Sequence, residues 1–257
     1  MLERYRTVIA DLHSHNWGSP DSPASPIDVV ERCRLTGVTL LAVTNHNTLD
    51  GVQETQDAAK TKACNLVIIP AEEITSNLLN PAGKKVELLA YFLKVAISPN
   101  LSPEQILQEI KKQDGMVAIP HPYELWRHGA GKEIGDYIVG RSLELGIPTI
   151  WETYNSRSKP ENNRMSFSYF QASSNRGVLY ASAGSDAHHP REMGRCKLVL
   201  APWNWENQQE LKDGLLNRLR NSSPLMDERG YSSQYMTLFY RVLTRFSNLK
   251  MKINRGK

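Results

Sequence analysis

The chain has 257 residues, of which 40% are hydrophobic, and it carries a modest net charge of +4. This length suits one large α/β domain or two small ones, and no stretch approaches the roughly 18 consecutive apolar residues of a membrane span. Three scattered cysteines without metal-ligand spacing favour a reducing compartment. Because no signal peptide is evident at the start, we predict a cytoplasmic protein.

Strand and helix signals alternate along the first half of the chain. A strand in TVIADLHSH is followed by a helix over about 27–35, with Ser25 as N-cap and Pro26 as first helical residue. The next strands are VTLLAVT, NLVIIPAEEIT and KVELLAYFL; a polar helix covers about 50–63, and 80–83 form a turn. The segment 16–25 is rich in Ser and Pro, which predicts a loop at the mouth of a site.

The second half continues this alternation. A helix that begins at Ser102 and Pro103 precedes the strand in MVAIPHPY, and helices near 132–145 and 160–174 flank the strand PTIWETYN. GVLYASAGSDAH and KLVLAP are the last predicted strands. Two further helices are predicted near 206–220 and 232–246.

The repeated strand–helix units indicate a parallel sheet with crossover helices. Polar residues end seven or so strands, whereas an open doubly wound sheet concentrates its chemistry at one or two switch points. We therefore predict a closed, TIM-like α/β barrel. Residues 1–200 are expected to form the barrel, and residues 201–257 a helical extension that completes it or packs on it.

Five of the seven histidines stand where apolar strands end, each beside a polar or acidic residue. At the carboxyl end of a barrel this pattern indicates a polynuclear metal site. His13 and His15, two positions apart after the first strand, share a face and can reach one ion. Imidazole and carboxylate ligands without thiolate suit Zn, Mn or Fe. The strand-end candidates are His13, His15, His46, Glu73, His121, Asp186 and His188.

With these motifs, the chain resembles the PHP (polymerase and histidinol phosphatase) family of metal-dependent phosphoesterases. The matching motifs, in family order, are DLHSH, SPDS at 19–22, TNHNT at 44–48, PAEEIT, PHP at 120–122, WETYNSR and GSDAH at 184–188. They cover residues 8 to about 190. The resemblance implies a distorted (β/α)7 barrel that binds two or three divalent metal ions at its carboxyl end.

The resemblance also implies a distribution of ligands over three metal sites. The first site would use His13, His15, Glu73 and Asp186; the second would share Glu73 and add His121; the third would use Asp21, His46 and His188. Neighbouring metals stabilise the attacking and leaving oxygens at phosphorus and lower the pKa of a bound water. The implied nucleophile is therefore a metal-bound hydroxide.

Two motifs depart from the family pattern. Asn45 and Asn47 flank His46 where the family usually has aspartates. An aspartate bonded to a ligating imidazole fixes its tautomer and raises its basicity, so we expect weaker metal retention at the third site. Glu87 stands where many members carry a histidine. It is a competent ligand that would favour Mn, although it could instead face solvent.

Other polar residues are candidates for supporting roles. Arg157 lies just past a strand end, where it could hold a substrate phosphate in a bidentate contact or form a structural ion pair. With Asp186 and His188, it completes our predicted catalytic set. Asp11 is predicted either to orient a histidine or to lie at the surface, and His128 to lie at the surface.

These residues predict a metal-dependent hydrolase that cleaves phosphate esters of a small phosphorylated metabolite or nucleotide. Residues 229–257 contain no acidic residue and accumulate Lys and Arg, so this basic tail could contact nucleic acid or could be a solvated helix with a frayed end. A nuclease or DNA-processing phosphodiesterase is therefore one alternative. A non-catalytic metal-binding scaffold is the other. No membrane partner is predicted, and the oligomeric state stays open.

Overall fold

Strands and helices alternate along the chain in the predicted order. The computed structural model describes residues 7–62, 64–173, 177–220 and 223–226. The strands are β1 (Val8–Ser14), β2 (Leu40–His46), β3 (Val67–Leu79), β4 (Lys85–Tyr91), β5 (Met116–Ile119), β6 (Thr149–Asn155), β7 (Leu179–Gly184), β8 (Cys196–Leu200) and β9 (Ser223–Met226). The α-helices are α1 (Pro26–Thr36), α2 (Val52–Thr61), α3 (Pro103–Lys112), α4 (Gly131–Glu144), α5 (Pro160–Ala172) and α6 (Gln208–Leu219).

The described strands form one mixed sheet in the order β7-β6-β5-β4-β3-β2-β1-β8-β9. β1, β2 and β3 are mutually parallel, and so are β5, β6 and β7. β4 runs antiparallel between β3 and β5, and β8 runs antiparallel to β1. The connection 80–84 is too short for the crossover that a parallel strand requires, which explains why β4 reverses direction.

The sheet curls until β7 and β1 nearly meet at their carboxyl ends. The backbone N–H of Asp186 donates to the carbonyl of His13 at 2.7 Å, and that of His15 donates to Ala187 at 2.8 Å. A side chain at Gly184 would place its Cβ 2.3 Å from the Cβ of His13, so this seam requires glycine. The result is a nearly closed, TIM-like α/β barrel, which confirms the predicted fold class.

Apolar side chains fill the barrel beneath the strand ends, and α6 contributes to the same core. Leu211 and Leu215 of α6 pack in one cluster with Leu12, Ile69 and Ile150 of the strands. The part of the extension that the structure describes therefore packs on the barrel. A domain boundary near residue 200 stays a prediction, and the predicted helix near 232–246 lies, with the basic tail, outside the described residues.

The other helices cover the outer face of the sheet. α1 and α2 pack on β2 and β3, while α3 and α4 pack on β4, β5 and β6. Ser25 and Ser102 form the predicted N-terminal caps, each in a capping box closed by the third helical residue. In the ranges that the structure describes, no helix is both long enough and apolar enough to span a bilayer.

Candidate metal centre

β1 changes its side-chain alternation just before the site. Ala10 and Leu12 pack in the barrel interior, yet His13 and His15 are also directed into the barrel end, where they join the other potential ligands. The register between β1 and β2 shifts within residues 11–14. Because of this irregularity, the apolar residues of β1 that face the barrel interior are followed directly by His13 and His15, whose imidazoles face the same interior.

Glu73 of β3 lies at the centre of the histidine cluster. Its neighbour Glu72 points to the opposite side of the sheet, where its carboxylate accepts a hydrogen bond from the backbone N–H of Ile97 at 2.8 Å, as strand alternation predicts. The Glu73 carboxylate lies 3.1–3.4 Å from one ring nitrogen each of His13, His15, His46 and His121.

His121 and Asp186 adopt left-handed backbone conformations just past β5 and β7, with φ of 28° and 49°. Such conformations cost a non-glycine residue of the order of 1–3 kcal/mol, so neighbouring groups must hold them. The N–H of His121 donates to the Glu152 carboxylate at 2.6 Å, and that of Asp186 donates to the His13 carbonyl at 2.7 Å. The two sharp turns bring both side chains to the cluster.

Two hydrogen bonds orient the imidazoles of β1. Nδ1 of His13 lies 3.0 Å from the Glu152 carboxylate, and Nδ1 of His15 lies 3.0 Å from the Ser19 hydroxyl. In the neutral form of each ring, an Nδ1–H that donates in these bonds leaves the lone pair on Nε2. Within the described ranges, neither Nε2 has a hydrogen-bond partner although both are buried. A histidine that binds a metal through one ring nitrogen usually donates a hydrogen bond from the other, often to a carboxylate.

All nine predicted ligands converge at one end of the barrel. Asp21 lies 3.1 Å from Nε2 of His188 and 3.7 Å from Nε2 of His46. The cluster lies against a cavity of about 420 Å³. Ligand atoms within 4.8 Å of one another form the triads His15–His46–His188, His13–His121–Asp186, His13–His15–Glu73 and Glu73–Glu87–His121.

The structure shows what surrounds the two positions at which the sequence departs from the PHP motifs. Asn45 does not orient the His46 ring, because alternation in β2 turns it away; its amide nitrogen instead donates to Asn16 at 2.6 Å and to the carbonyl of Asp50 at 2.7 Å. Glu87 does not face solvent: it is 7% exposed, and its carboxylate lies 3.7 Å from Nδ1 of His46.

The site holds more carboxyl groups than guanidiniums. Five carboxyl groups face two guanidiniums, and ionised carboxylates are costly to bury without counter-ions. This charge and the unpaired imidazole nitrogens fit divalent metal ions. The carboxylates are Asp21, Glu73, Glu87, Glu152 and Asp186, and the guanidiniums are Arg127 and Arg157.

Arg127 is a site residue that the sequence did not reveal. It lies in a 3-10 turn (Leu125–Arg127), and its guanidinium contacts the Asp186 carboxylate. No strand end precedes it, so no local pattern marks it. Arg157, which was predicted, lies 3.7 Å from the same carboxylate, and its Nη1 also contacts Nδ1 of His188.

Two predictions for supporting residues need correction. Asp11 neither orients a histidine ring nor lies at the surface: it is fully buried, and its carboxylate accepts hydrogen bonds from the N–H groups of Ser185 at 2.9 Å and Gly194 at 3.0 Å. It therefore anchors the backbone beside β7. His128 is half-buried and lines the cavity, because its loop folds over β4.

Metal binding to this cluster is expected to release protons. Burial by itself disfavours a charged His13, but the charges of Glu152, Glu73 and Asp186 outweigh it and raise the pKa of His13 well above its usual value. The metal-free protein therefore favours the protonated form of this imidazole, and a metal that binds there must displace the proton. Metal affinity should fall as the pH falls, and the ion that His13 holds should release about one proton when it binds.

Calorimetric titration with Mn²⁺ or Zn²⁺ in two buffers of different ionisation enthalpy measures this release. Equal binding enthalpies in both buffers would show that no proton leaves. His188 serves as an internal contrast, because burial and the charge of Arg157 lower its pKa to about 3. That ring is already neutral and contributes no proton.

Comparisons with known proteins place the chain beside an archaeal relative. No family model matches the chain. The uncharacterized protein MJ1587 of Methanocaldococcus jannaschii is 31% identical over 145 residues, which are 52% of this chain and 77% of the relative. The match therefore covers most of the relative.

Solved structures share the fold at low sequence identity. One, from Bifidobacterium adolescentis, is assigned as a metal-dependent phosphoesterase; it matches 80% of this chain and 95% of its own, with a TM-score of 0.54 and 16% identity. Another is the lesion-specific endonuclease PfuEndoQ from Pyrococcus furiosus, with a TM-score of 0.58 and 14% identity. That match covers 85% of this chain but 58% of the endonuclease, and at such identities the likeness is one of fold.

Proposed function

This chain belongs to the same family as the uncharacterized protein MJ1587. From the residues of the site, we propose that the chain hydrolyses phosphate monoesters with two or three bound divalent metal ions. The observation that carries the proposal is the convergence of unpaired imidazole nitrogens and surplus carboxylates beside two arginines. This combination suits metal binding and phosphate binding in one cavity.

The proposed ligand sets are those that the resemblance to the PHP family implies, with Glu87 added to the second. The donor set, imidazole and carboxylate without thiolate, suits Zn, Mn or Fe. Bound ions would polarise the phosphoryl oxygens and lower the pKa of a coordinated water from ~15.7 toward ~7. The first ion would be held by His13, His15, Glu73 and Asp186, the second by Glu73, Glu87 and His121, and the third by Asp21, His46 and His188.

Asp186 is held by its neighbours in an orientation that suits a metal ligand. Its Oδ2 contacts Arg127 and accepts a hydrogen bond from the amide of Asn155 at 3.2 Å. Its Oδ1 lies 3.5 Å from Nε2 of His15 and 3.8 Å from Nε2 of His13. Of its two oxygens, one is thus occupied by hydrogen-bond donors while the other faces the imidazoles.

The arginines are proposed to bind the substrate phosphate. Arg127 and Arg157 both line the cavity. Guanidinium groups donate paired hydrogen bonds to phosphate oxygens, which orients the phosphoryl group. In the reaction, the oxygen of water forms a bond to phosphorus, the P–O ester bond breaks, and the leaving alkoxide takes a proton, so that an alcohol and inorganic phosphate are released.

The size of the cavity favours a small substrate. A volume of about 420 Å³ lies in the range of small-molecule sites. A second candidate function, nucleic-acid phosphodiester cleavage, is supported by the fold likeness to the lesion-specific endonuclease and by the basic residues of 229–257. Monoesters and diesters therefore have to be compared directly.

We expect the metal-loaded protein to release inorganic phosphate from monoesters with a kcat/KM about 100-fold above that for diesters, because the paired arginines bind a terminal, doubly charged phosphoryl group best. Phosphate release from nucleoside and sugar monophosphates, set beside cleavage of an aryl phosphodiester and of single-stranded DNA, measures the ratio. Faster diester cleavage would favour the nuclease. If neither monoesters nor diesters are hydrolysed after Mn²⁺ or Zn²⁺ is restored, the hydrolase proposal is wrong.

A further inference from the structure

A large aromatic side chain stands unusually exposed at the rim of the cavity. Trp126 is 75% exposed although it lines the same cavity as Glu73 and Asp186. Exposed indoles lose the large stabilisation that burial would provide, and they are enriched where a binding partner covers them. The position of Trp126 beside the cavity makes the substrate the natural partner.

The rim that carries Trp126 is held in place from below. Asn80, which is 4% exposed, donates hydrogen bonds from its amide nitrogen to the carbonyls of Leu125 and Gly129, both at 2.7 Å. Its amide oxygen accepts a hydrogen bond from the backbone N–H of Lys84 at 3.0 Å. One buried side chain thus joins the β3–β4 turn to the loop of Trp126, so the platform is preorganised before any ligand arrives.

A cation lies over the indole of Trp126. Nζ of Lys84 stands 5.6 Å from the centroid of the Trp126 ring, within the range of a cation–π contact. Both side chains line the cavity. The ammonium covers part of one face of the ring, and because Trp126 is 75% exposed, the rest of the indole is open to an aromatic ring of a ligand whose anionic substituent the ammonium could attract.

The platform adjoins a group that is suited to phosphate. Arg127 follows Trp126 in the same 3-10 turn, but its guanidinium reaches inward to the Asp186 carboxylate. Its Nη1 is buried and has no hydrogen-bond partner within the described part of the chain. Consecutive residues, with Cα atoms about 3.8 Å apart, therefore offer an outer stacking surface and an inner phosphate donor.

We propose that Trp126 and Lys84 form a stacking subsite for a flat ring on the leaving group, so that the substrate class is nucleoside monophosphates. The proposal rests on the phosphatase function proposed above. Every nucleobase offers a π face to an indole, so the subsite recognises a base without reading its identity. A sugar phosphate without a base lacks this contact.

We expect Trp126→Ala to raise the KM for adenosine monophosphate about 10- to 100-fold, with a much smaller rise for ribose phosphate, because only the former loses stacking. Trp126→Phe should stay within a few-fold of the wild type. Tyr137→Ala, at an aromatic residue 48% exposed on α4 outside the cavity lining, is the matched control and should behave as the wild type. Equal KM values for the two substrates in the wild type, or equal rises in Trp126→Ala, would overturn the subsite.

A binding measurement separates this proposal from the proposed reaction. Calorimetry should show adenosine monophosphate binding to the metal-loaded protein about 10- to 100-fold more tightly than to Trp126→Ala, whether or not turnover occurs. Binding that depends on Trp126 without phosphate release would uphold the subsite and refute the phosphatase. Phosphate release from ribose phosphate with no preference for the nucleotide would uphold the phosphatase and refute the subsite.

Discussion

Replacing Glu73 with glutamine is expected to remove bound metal and to lower kcat/KM by about 1,000-fold or more, a loss of roughly 4 kcal/mol of transition-state stabilisation. The carboxylate of Glu73 lies within 3.4 Å of ring nitrogens on four histidines. Glutamine keeps the shape of the side chain but brings no charge and presents an NH2 group to those nitrogens. Metal analysis and steady-state kinetics on the same preparation measure both effects.

The adjacent residue provides a matched control. Burial raises the pKa of Glu72 to about 7, so this carboxyl is already partly neutral near physiological pH. Glutamine preserves the acceptor for the N–H of Ile97 on the far side of the sheet. Glu72→Gln should therefore retain metal and activity, and circular dichroism should show both variants folded. Full metal content and activity in Glu73→Gln would contradict a metal role for Glu73.

Removing the metal ions with a chelator is expected to lower Tm by about 10 °C. A ligand at about 1,000 times its Kd stabilises the native state by about 4 kcal/mol, and a domain of 150–250 residues shifts its Tm by about 2–4 °C per kcal/mol. The physical source is the charge of the buried carboxylates, which include Glu73 and Asp186. Scanning calorimetry before and after chelation, and after restoring Mn²⁺ or Zn²⁺, measures the shift.

The Glu73→Gln variant sharpens this experiment. Because it retains fewer ligands and one less negative charge, its Tm should respond much less to chelation than that of the wild type. An identical Tm for the chelated and the metal-restored wild-type protein would show that the cluster does not bind metal under those conditions. A similar fall in both proteins would point to a metal that is bound elsewhere.

Much of the fold could be predicted from local pattern. Ser25–Pro26 and Ser102–Pro103 begin helices because capping depends on residues within one turn. The strand ends at His46 and near His13 and His121 follow from apolar runs that stop at polar residues. The direction of β4 was not apparent, because a hydrophobic run does not record its orientation; only the short connection 80–84 decides it.

By itself, then, the sequence determined which residues stand at the barrel mouth, because strand ends and alternation are properties of neighbouring residues. The tertiary structure decided their partners. Glu152 supports His13 across 139 residues, and Arg127 reaches Asp186 across 59. The burial of Glu87 depends likewise on the loop that folds over β4. Such contacts arise where separate strands and loops pack together. The net charge buried at the barrel mouth therefore depends on residues from the whole barrel, and no local sequence pattern predicts it.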